Sequence, residues 1–127
     1  MSELLAAIPF AGRLGLAVEA ASVSEVRGSV AWDEELCTAG GVMHGGALMA
    51  AADSLGAICA YLNLPPGAST ATIESKTNFF RPVKGGTVSL VSKPLHVGRT
   101  TIVVQTELSD GDGKRVALVI QTQSVVA

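Results

Sequence analysis

The chain has 127 residues, enough for one hydrophobic core and one expected domain spanning residues 1–127. Hydrophobic residues make up 48% and charged residues 16%, a balance that excludes an intrinsically disordered chain. The formal net charge of −2 and the lack of any Lys/Arg cluster exclude a basic surface for nucleic acid, so an anionic ligand has to be met by a few placed cations. In chain order, residues 2–8 (SELLAAI) predict a short helix capped by Ser2 and ended by Pro9 and Gly12. Residues 16–23 and 26–32 predict two β-strands around a polar turn. Residues 45–62 have the length and the Ala/Leu/Met content of a helix, which Pro65-Pro66-Gly67 stops. Four runs rich in Val, Thr and Ile follow at 71–80, 87–97, 100–108 and 115–126, with hairpin turns at 97–100 and 109–114.

Consecutive strands with short turns predict an antiparallel sheet and an α+β class. The long helix lacks a polar face, since Ala47, Leu48, Met49, Ala51, Leu55, Ile58, Cys59 and Tyr61 cover all its sides. Such a helix is expected to be buried all round, and one curved sheet wraps only part of it, so a second subunit is expected to cover the rest. Between Gly40 and Leu64 the only acidic or basic side chains are His44 and Asp53. A membrane span is nonetheless not expected there, because Asp53 would lie near mid-bilayer at a cost of about 2.5–3.5 kcal/mol and no basic flank anchors the run. The N-terminal MSELLAAIPF has no basic region and too short an apolar run for a secretory signal, so a cytoplasmic location is expected. Cys37 and Cys59, without a CxxC or a histidine at metal spacing, read as two free thiols in a reducing compartment.

Asp53 is the most informative residue. A carboxylate in the middle of an apolar helix costs stability unless it is paired or used. No Lys, Arg or His lies three or four positions away to neutralise it. It is therefore either a hydrogen-bonded structural Asp or an acid, base or nucleophile. The second feature is Gly40-Gly41-Val42-Met43-His44-Gly45-Gly46 at the helix start. Glycines let a ligand approach the backbone closely, and the free N–H groups of a helix N-terminus bind anionic oxygen. Aimed at a thioester carbonyl they would form an oxyanion hole; a tight turn is the alternative.

Together, His44-Gly45-Gly46 and Asp53, nine positions after the histidine, resemble the HGG-x6-D/E signature of hotdog-fold acyl-CoA thioesterases. The likeness is greatest to the phenylacetate-degradation and 4-hydroxybenzoyl-CoA branch. Asn78-Phe79-Phe80-Arg81-Pro82 is similar to that family's strand end after the helix, and Gly98-Arg99, Asp110-Gly111 and Val116-Ala117 resemble its closing strands. The resemblance spans about residues 10–126. It implies a hotdog fold, an antiparallel curved sheet around one long helix, and hydrolysis of a small acyl-CoA or aryl-CoA thioester. It further implies a homo-oligomer, either a homodimer or dimers paired into a homotetramer, with coenzyme A present only as part of the substrate and no other cofactor or metal. By the same resemblance Asp53 is the catalytic carboxylate, as nucleophile or general base. Gly45 supplies the N–H that polarises the carbonyl, His44 orients the loop, and Thr72 falls where a Ser or Thr positions water. The chain departs from the branch at Thr38, where related enzymes place Asn or Gln; a hydroxyl has a shorter reach and lacks the amide's fixed donor.

Of the remaining candidates, Arg81, Lys84 and Arg99 are either ordinary loop cations or a clamp for coenzyme A phosphates. His96 reads as a structural residue of an alternating strand. Asp110 and Asp112 mimic the opening of a calcium loop, but Gln121 stands where its bidentate Glu belongs, so a hairpin turn is expected. Two rival functions remain open. One is a hotdog hydratase or dehydratase, which needs a histidine poised to take a proton, whereas His44 falls outside the helix. The other is a non-catalytic acyl-CoA-binding module, kept open by Thr38.

Overall fold

A computed structural model describes residues 2–127. Helices α1 (Ser2–Ala6) and α2 (Pro9–Arg13) lead into strands β1 (Ala17–Ala21) and β2 (Val26–Ala31). Two 3-10 turns, Glu34–Leu36 and Ala39–Gly41, precede the central helix α3 (Gly45–Tyr61). The chain continues through β3 (Thr72–Phe79), β4 (Thr87–Val97), β5 (Thr101–Ser109) and β6 (Arg115–Ser124). The six strands form one antiparallel sheet in the order β1-β2-β4-β5-β6-β3. The α+β class and the single helix against a sheet are as the sequence predicts.

The strands alternate because one face of the sheet carries the core. On β5, Ile102, Val104, Thr106 and Leu108 are buried; their neighbours on β4 and β6 include Leu90, Ser92 and Val119. Against this face lie Leu48, Ala51, Ala52, Leu55, Ile58 and Cys59 of α3. Burying a side chain the size of Leu55, which has no exposed surface, contributes about 1.5–3 kcal/mol.

One expectation is corrected. Pro9 does not simply end the first helix: it begins α2 as that helix's first residue, where a missing N–H and a fixed φ are no handicap. The capping role predicted for Ser2 rests on a side chain outside the described residues. The sheet covers only part of α3, as expected: its own chain buries the helix on one side. Gly46, Met49, Asp53, Ala57 and Tyr61, spaced three or four apart, form a stripe that the sheet leaves open. Met49 is 37% and Tyr61 58% exposed, against 0% for Leu55 on the opposite side.

Strand β3 follows α3 but does not return beside β2. It crosses to the far edge and pairs only with β6, from Thr72↔Gln123 to Phe79↔Ala117. This placement sets Thr72 and β6 against the middle of α3. Among the described residues no helix is long and apolar enough to cross a membrane.

Candidate active site

The approach to α3 is fixed by backbone hydrogen bonds. His44 N donates to Leu36 O at 2.8 Å, and Met43 N donates to Val83 O at 2.8 Å. Gly40 and Gly41 turn the chain with φ of 80° and 73°, a region that disfavours side chains, and Trp32 Nε1 donates to Gly41 O at 3.0 Å. His44 is the N-cap: its Nδ1 accepts from Gly46 N at 2.7 Å. Nδ1 is thereby engaged as an acceptor, and Nε2 is the ring nitrogen left to donate. His44 thus caps the start of α3.

That cap engages Gly46 and leaves Gly45. Among the described residues the Gly45 N–H has no acceptor. A Cβ at Gly45 would lie 3.0 Å from Phe79 Cζ, so the absent side chain lets the aromatic ring close over the helix start. Beside it is a cavity of ≈ 350 Å³ lined by Thr38, Gly45, Leu48, Phe79, Arg81 and Val83 among others. The wall is apolar apart from Thr38, Arg81 and the peptide groups. A free N–H at the positive end of a helix dipole is well placed for an oxygen that gains negative charge.

Asp53 lies half-buried on the open stripe of α3. Thr72 Oγ1 is 2.7 Å from its Oδ1, and Gln121 Nε2 donates to the same oxygen at 3.0 Å. Gln121 Nε2 also lies 3.3 Å from the Asp53 carbonyl oxygen and 2.9 Å from Gln123 Oε1. Thr72 Oγ1 is in turn 2.5 Å from Gln123 Oε1, and Gln123 Nε2 donates to Thr70 Oγ1 at 3.1 Å. Thr72 has one hydroxyl proton, which goes to Asp53 or to Gln123 at any moment, leaving its lone pairs to accept from water. Every partner the structure gives the carboxylate is neutral and donates.

Gln121 and Gln123, 0% and 1% exposed, are site residues that the sequence reading missed. The signal was present: along β6 they share the period-two face of Ala117 and Val119, where an amide among core residues needs a reason.

The structure does not gather the three candidate cations. Arg81 lines the cavity at the helix start, and exposed Lys84 follows it in the β3–β4 connection. Arg99 lies in the β4–β5 turn beyond the pair Val97↔Ile102, at the opposite end of the sheet from the pair Phe79↔Ala117 that precedes Arg81. His96 is exposed at a β-bulge near the end of β4, so the regular alternation predicted for it stops short. The Asp110 carboxylate accepts from Asp112 N and Lys114 N, both at 2.9 Å, and so serves the predicted hairpin turn. Cys37 and Cys59 are unpaired; burial pushes the Cys59 thiol up to about 11.

Comparison with known proteins fits this geometry. The family model described as the thioesterase superfamily matches residues 40–117, more than half of the chain. The chain belongs to the thioesterase superfamily. It is 39% identical to an esterase-named protein of Saccharolobus solfataricus over 85 residues, covering 67% of this chain and 60% of that relative. A Pseudomonas aeruginosa protein, also named as an esterase, is 32% identical over 114 residues, 89% of this chain and 79% of the relative. The crystal structure of a glutamine-to-alanine variant of that Pseudomonas thioesterase superposes with a TM-score of 0.93 at 30% identity, covering 98% of this chain and 92% of the other. The 1,4-dihydroxy-2-naphthoyl-CoA hydrolase of Escherichia coli is 35% identical over 74 residues, 58% of this chain and 54% of that enzyme. This chain thus has the hotdog fold and is an enzyme of the thioester-hydrolase class.

Proposed function

We propose that this thioesterase-superfamily chain hydrolyses a coenzyme A thioester of a small acyl or aryl group, at a site completed by a second copy of itself. The observation that carries this reading is a pair of unsatisfied groups on one helix. Asp53 is anchored through one carboxylate oxygen on the open face of α3, and the unengaged Gly45 N–H borders a cavity. The two are eight residues apart, about 12 Å along the helix axis. A reacting carbonyl has to lie within about 3 Å of both its N–H donor and its attacking group. A second helix, antiparallel across a two-fold axis, brings one copy's Asp53 opposite the other's Gly45 and covers the open stripe of both.

In such a site the Gly45 N–H donates to the thioester oxygen as it gains charge. As general base, Asp53 takes a proton from water while the water oxygen bonds to the carbonyl carbon; the C–S bond then breaks and coenzyme A leaves as a thiolate that is reprotonated. As nucleophile, the carboxylate itself bonds to that carbon, coenzyme A leaves, and water hydrolyses the resulting anhydride. Neither route needs a metal or a cofactor beyond the coenzyme A of the substrate. His44, engaged as a cap, is not free to shuttle protons for a hydratase. The apolar cavity and the aryl-CoA named for the Escherichia coli relative support an acyl or aryl substrate. A two-fold that pairs Asp53 with Gly45 also turns one copy's Arg99 end of the sheet towards the other's Arg81 end, where phosphates are met. Two unpaired thiols fit a reducing, cytoplasmic compartment.

The test is a panel of acyl-CoA and aryl-CoA thioesters, assayed for released thiol beside calorimetric binding. Thiol release from at least one member supports the reading. Binding without release from any would make the chain a binding module, and hydration of an enoyl-CoA without thiol release would make it a hydratase.

A further inference from the structure

We propose that Gln121 is a positioning residue for Asp53: by holding Oδ1 it fixes the carboxylate and leaves Oδ2 as the oxygen that reacts. This rests on the reading of Asp53 given above. The geometry is specific. Gln121 is fully buried on β6, yet its amide reaches α3 and donates to Asp53 Oδ1 at 3.0 Å, with the Asp53 carbonyl oxygen 3.3 Å away. Thr72 donates to the same Oδ1. Among the described residues Oδ2 has no hydrogen-bond partner, so it is the oxygen with lone pairs left for water or a carbonyl carbon.

The amide's orientation is determined by its neighbours. Turned over, Gln121 would set its Oε1 against an ionised carboxylate at the same 3.0 Å and would face Gln123 Oε1 as well, two repulsive acceptor pairs. In the orientation present, Oε1 is buried with no donor. Leaving a buried amide oxygen unpartnered is destabilising, and a purely structural bridge between strand and helix would have no need of it. The arrangement makes sense if the donor side of the amide is required at Asp53.

Gly56 is the complementary part. A Cβ there would lie 2.0 Å from Gln121 Oε1 and 2.5 Å from its Cδ, so the amide would have to move away. Glycine in the middle of α3, unfavourable for a helix, is thus what admits the amide to the helix surface. The groups facing the carboxylate are Thr72 from β3 and Gln121 from β6, both uncharged, so loss of the amide donor is not masked by a nearby charge.

The experiment uses the full chain and the thioester substrate that gives thiol release. Gln121→Met keeps the length and removes the unpartnered oxygen together with the amide's donations, so the variant should fold, its melting temperature being measured beside its kinetics. Its kcat should fall about 10- to 100-fold with KM within about threefold, the expected loss for a hydrogen bond to a charged group. The acid limb of its kcat–pH profile should move to higher pH, because a donor to the ionised form is gone. Gly56→Ala, which favours the helix but displaces the amide, should reproduce the shift. Combined with Gln121→Met it should add nothing further. A parent-like kcat and acid limb in either folded variant overturns the proposal. Asp53→Asn measured alongside separates the two readings: if that variant is fully active, the assignment of Asp53 fails, whatever Gln121 does.

Discussion

Thr72 Oγ1 stands 2.7 Å from Asp53 Oδ1, and this contact joins the edge strand β3 to the middle of the central helix. The two residues are brought together by the crossing of β3 to the far edge of the sheet, beside β6. Thr72 is exposed on the edge strand, and Asp53 is half-buried on the helix face that the sheet leaves uncovered.

Substitutions at this pair should separate chemistry from anchoring. Asp53→Asn keeps the shape of the side chain, so the fold should be unchanged while turnover falls by at least about 10²-fold. Thr72→Val, which removes one of two donors to Oδ1, should lower kcat by about tenfold, and Thr72→Ser should restore most of it. Circular dichroism with steady-state kinetics reads both.

On the proposed function, coenzyme A itself should bind and increasing salt should weaken it, because isolated surface cations would meet its phosphates. Arg81→Ala or Lys84→Ala should raise the dissociation constant severalfold by calorimetry, by about the contribution of a single exposed ion pair. Parent-like binding in both variants would place the phosphates elsewhere.

The His44 cap should be visible in stability. His44→Ala removes the acceptor for Gly46 N and should cost about 0.5–2 kcal/mol in urea unfolding. His44→Asn, which retains an acceptor at the N-cap, should recover much of that loss. If both variants unfold at the parent's urea midpoint, the cap contributes nothing.

The two thiols should differ in reactivity. Burial pushes Cys59 up to about 11, so at pH 8 only about one part in a thousand is thiolate, and access is closed besides. Alkylation of the native protein should therefore spare Cys59, with mass spectrometry locating any adduct at the half-buried Cys37. Unfolding should expose both. Rapid native labelling of Cys59 would contradict the packing of α3 described above.

Local features were legible in the sequence. Helix α3 is bounded by a glycine-rich start and a Pro-Pro-Gly stop, and β4 by turn residues, so both spans follow from composition and spacing. Long-range placement was not. Nothing in residues 72–79 says that this strand skips β2 and pairs with β6, because register is a property of two segments together. Gln121 and Gln123 stand out as amides on a core face of β6, but the contact of Gln121 with Asp53 depends on the sheet order. Pro9 misled because the same residue that stops one helix also starts another. The open stripe on α3 was half legible: its lack of charge pointed to burial, but which side the sheet covers depended on tertiary packing.

The central claim, that Asp53 and the Gly45 N–H act from different copies of the chain, is tested most directly by complementation. Asp53→Ala removes the carboxylate, while Gly45→Pro removes the N–H at the first helical residue, where proline is tolerated once Phe79 yields slightly. Each variant alone should be inactive. After an equal mixture is unfolded and refolded, about half the dimers should be mixed, each with one intact site and one doubly broken site, so activity should return to about a quarter of the parent level. Recovery to that level is the predicted result. An inactive mixture in which mass measurement shows mixed dimers would mean that both groups act within one chain, and would contradict the account.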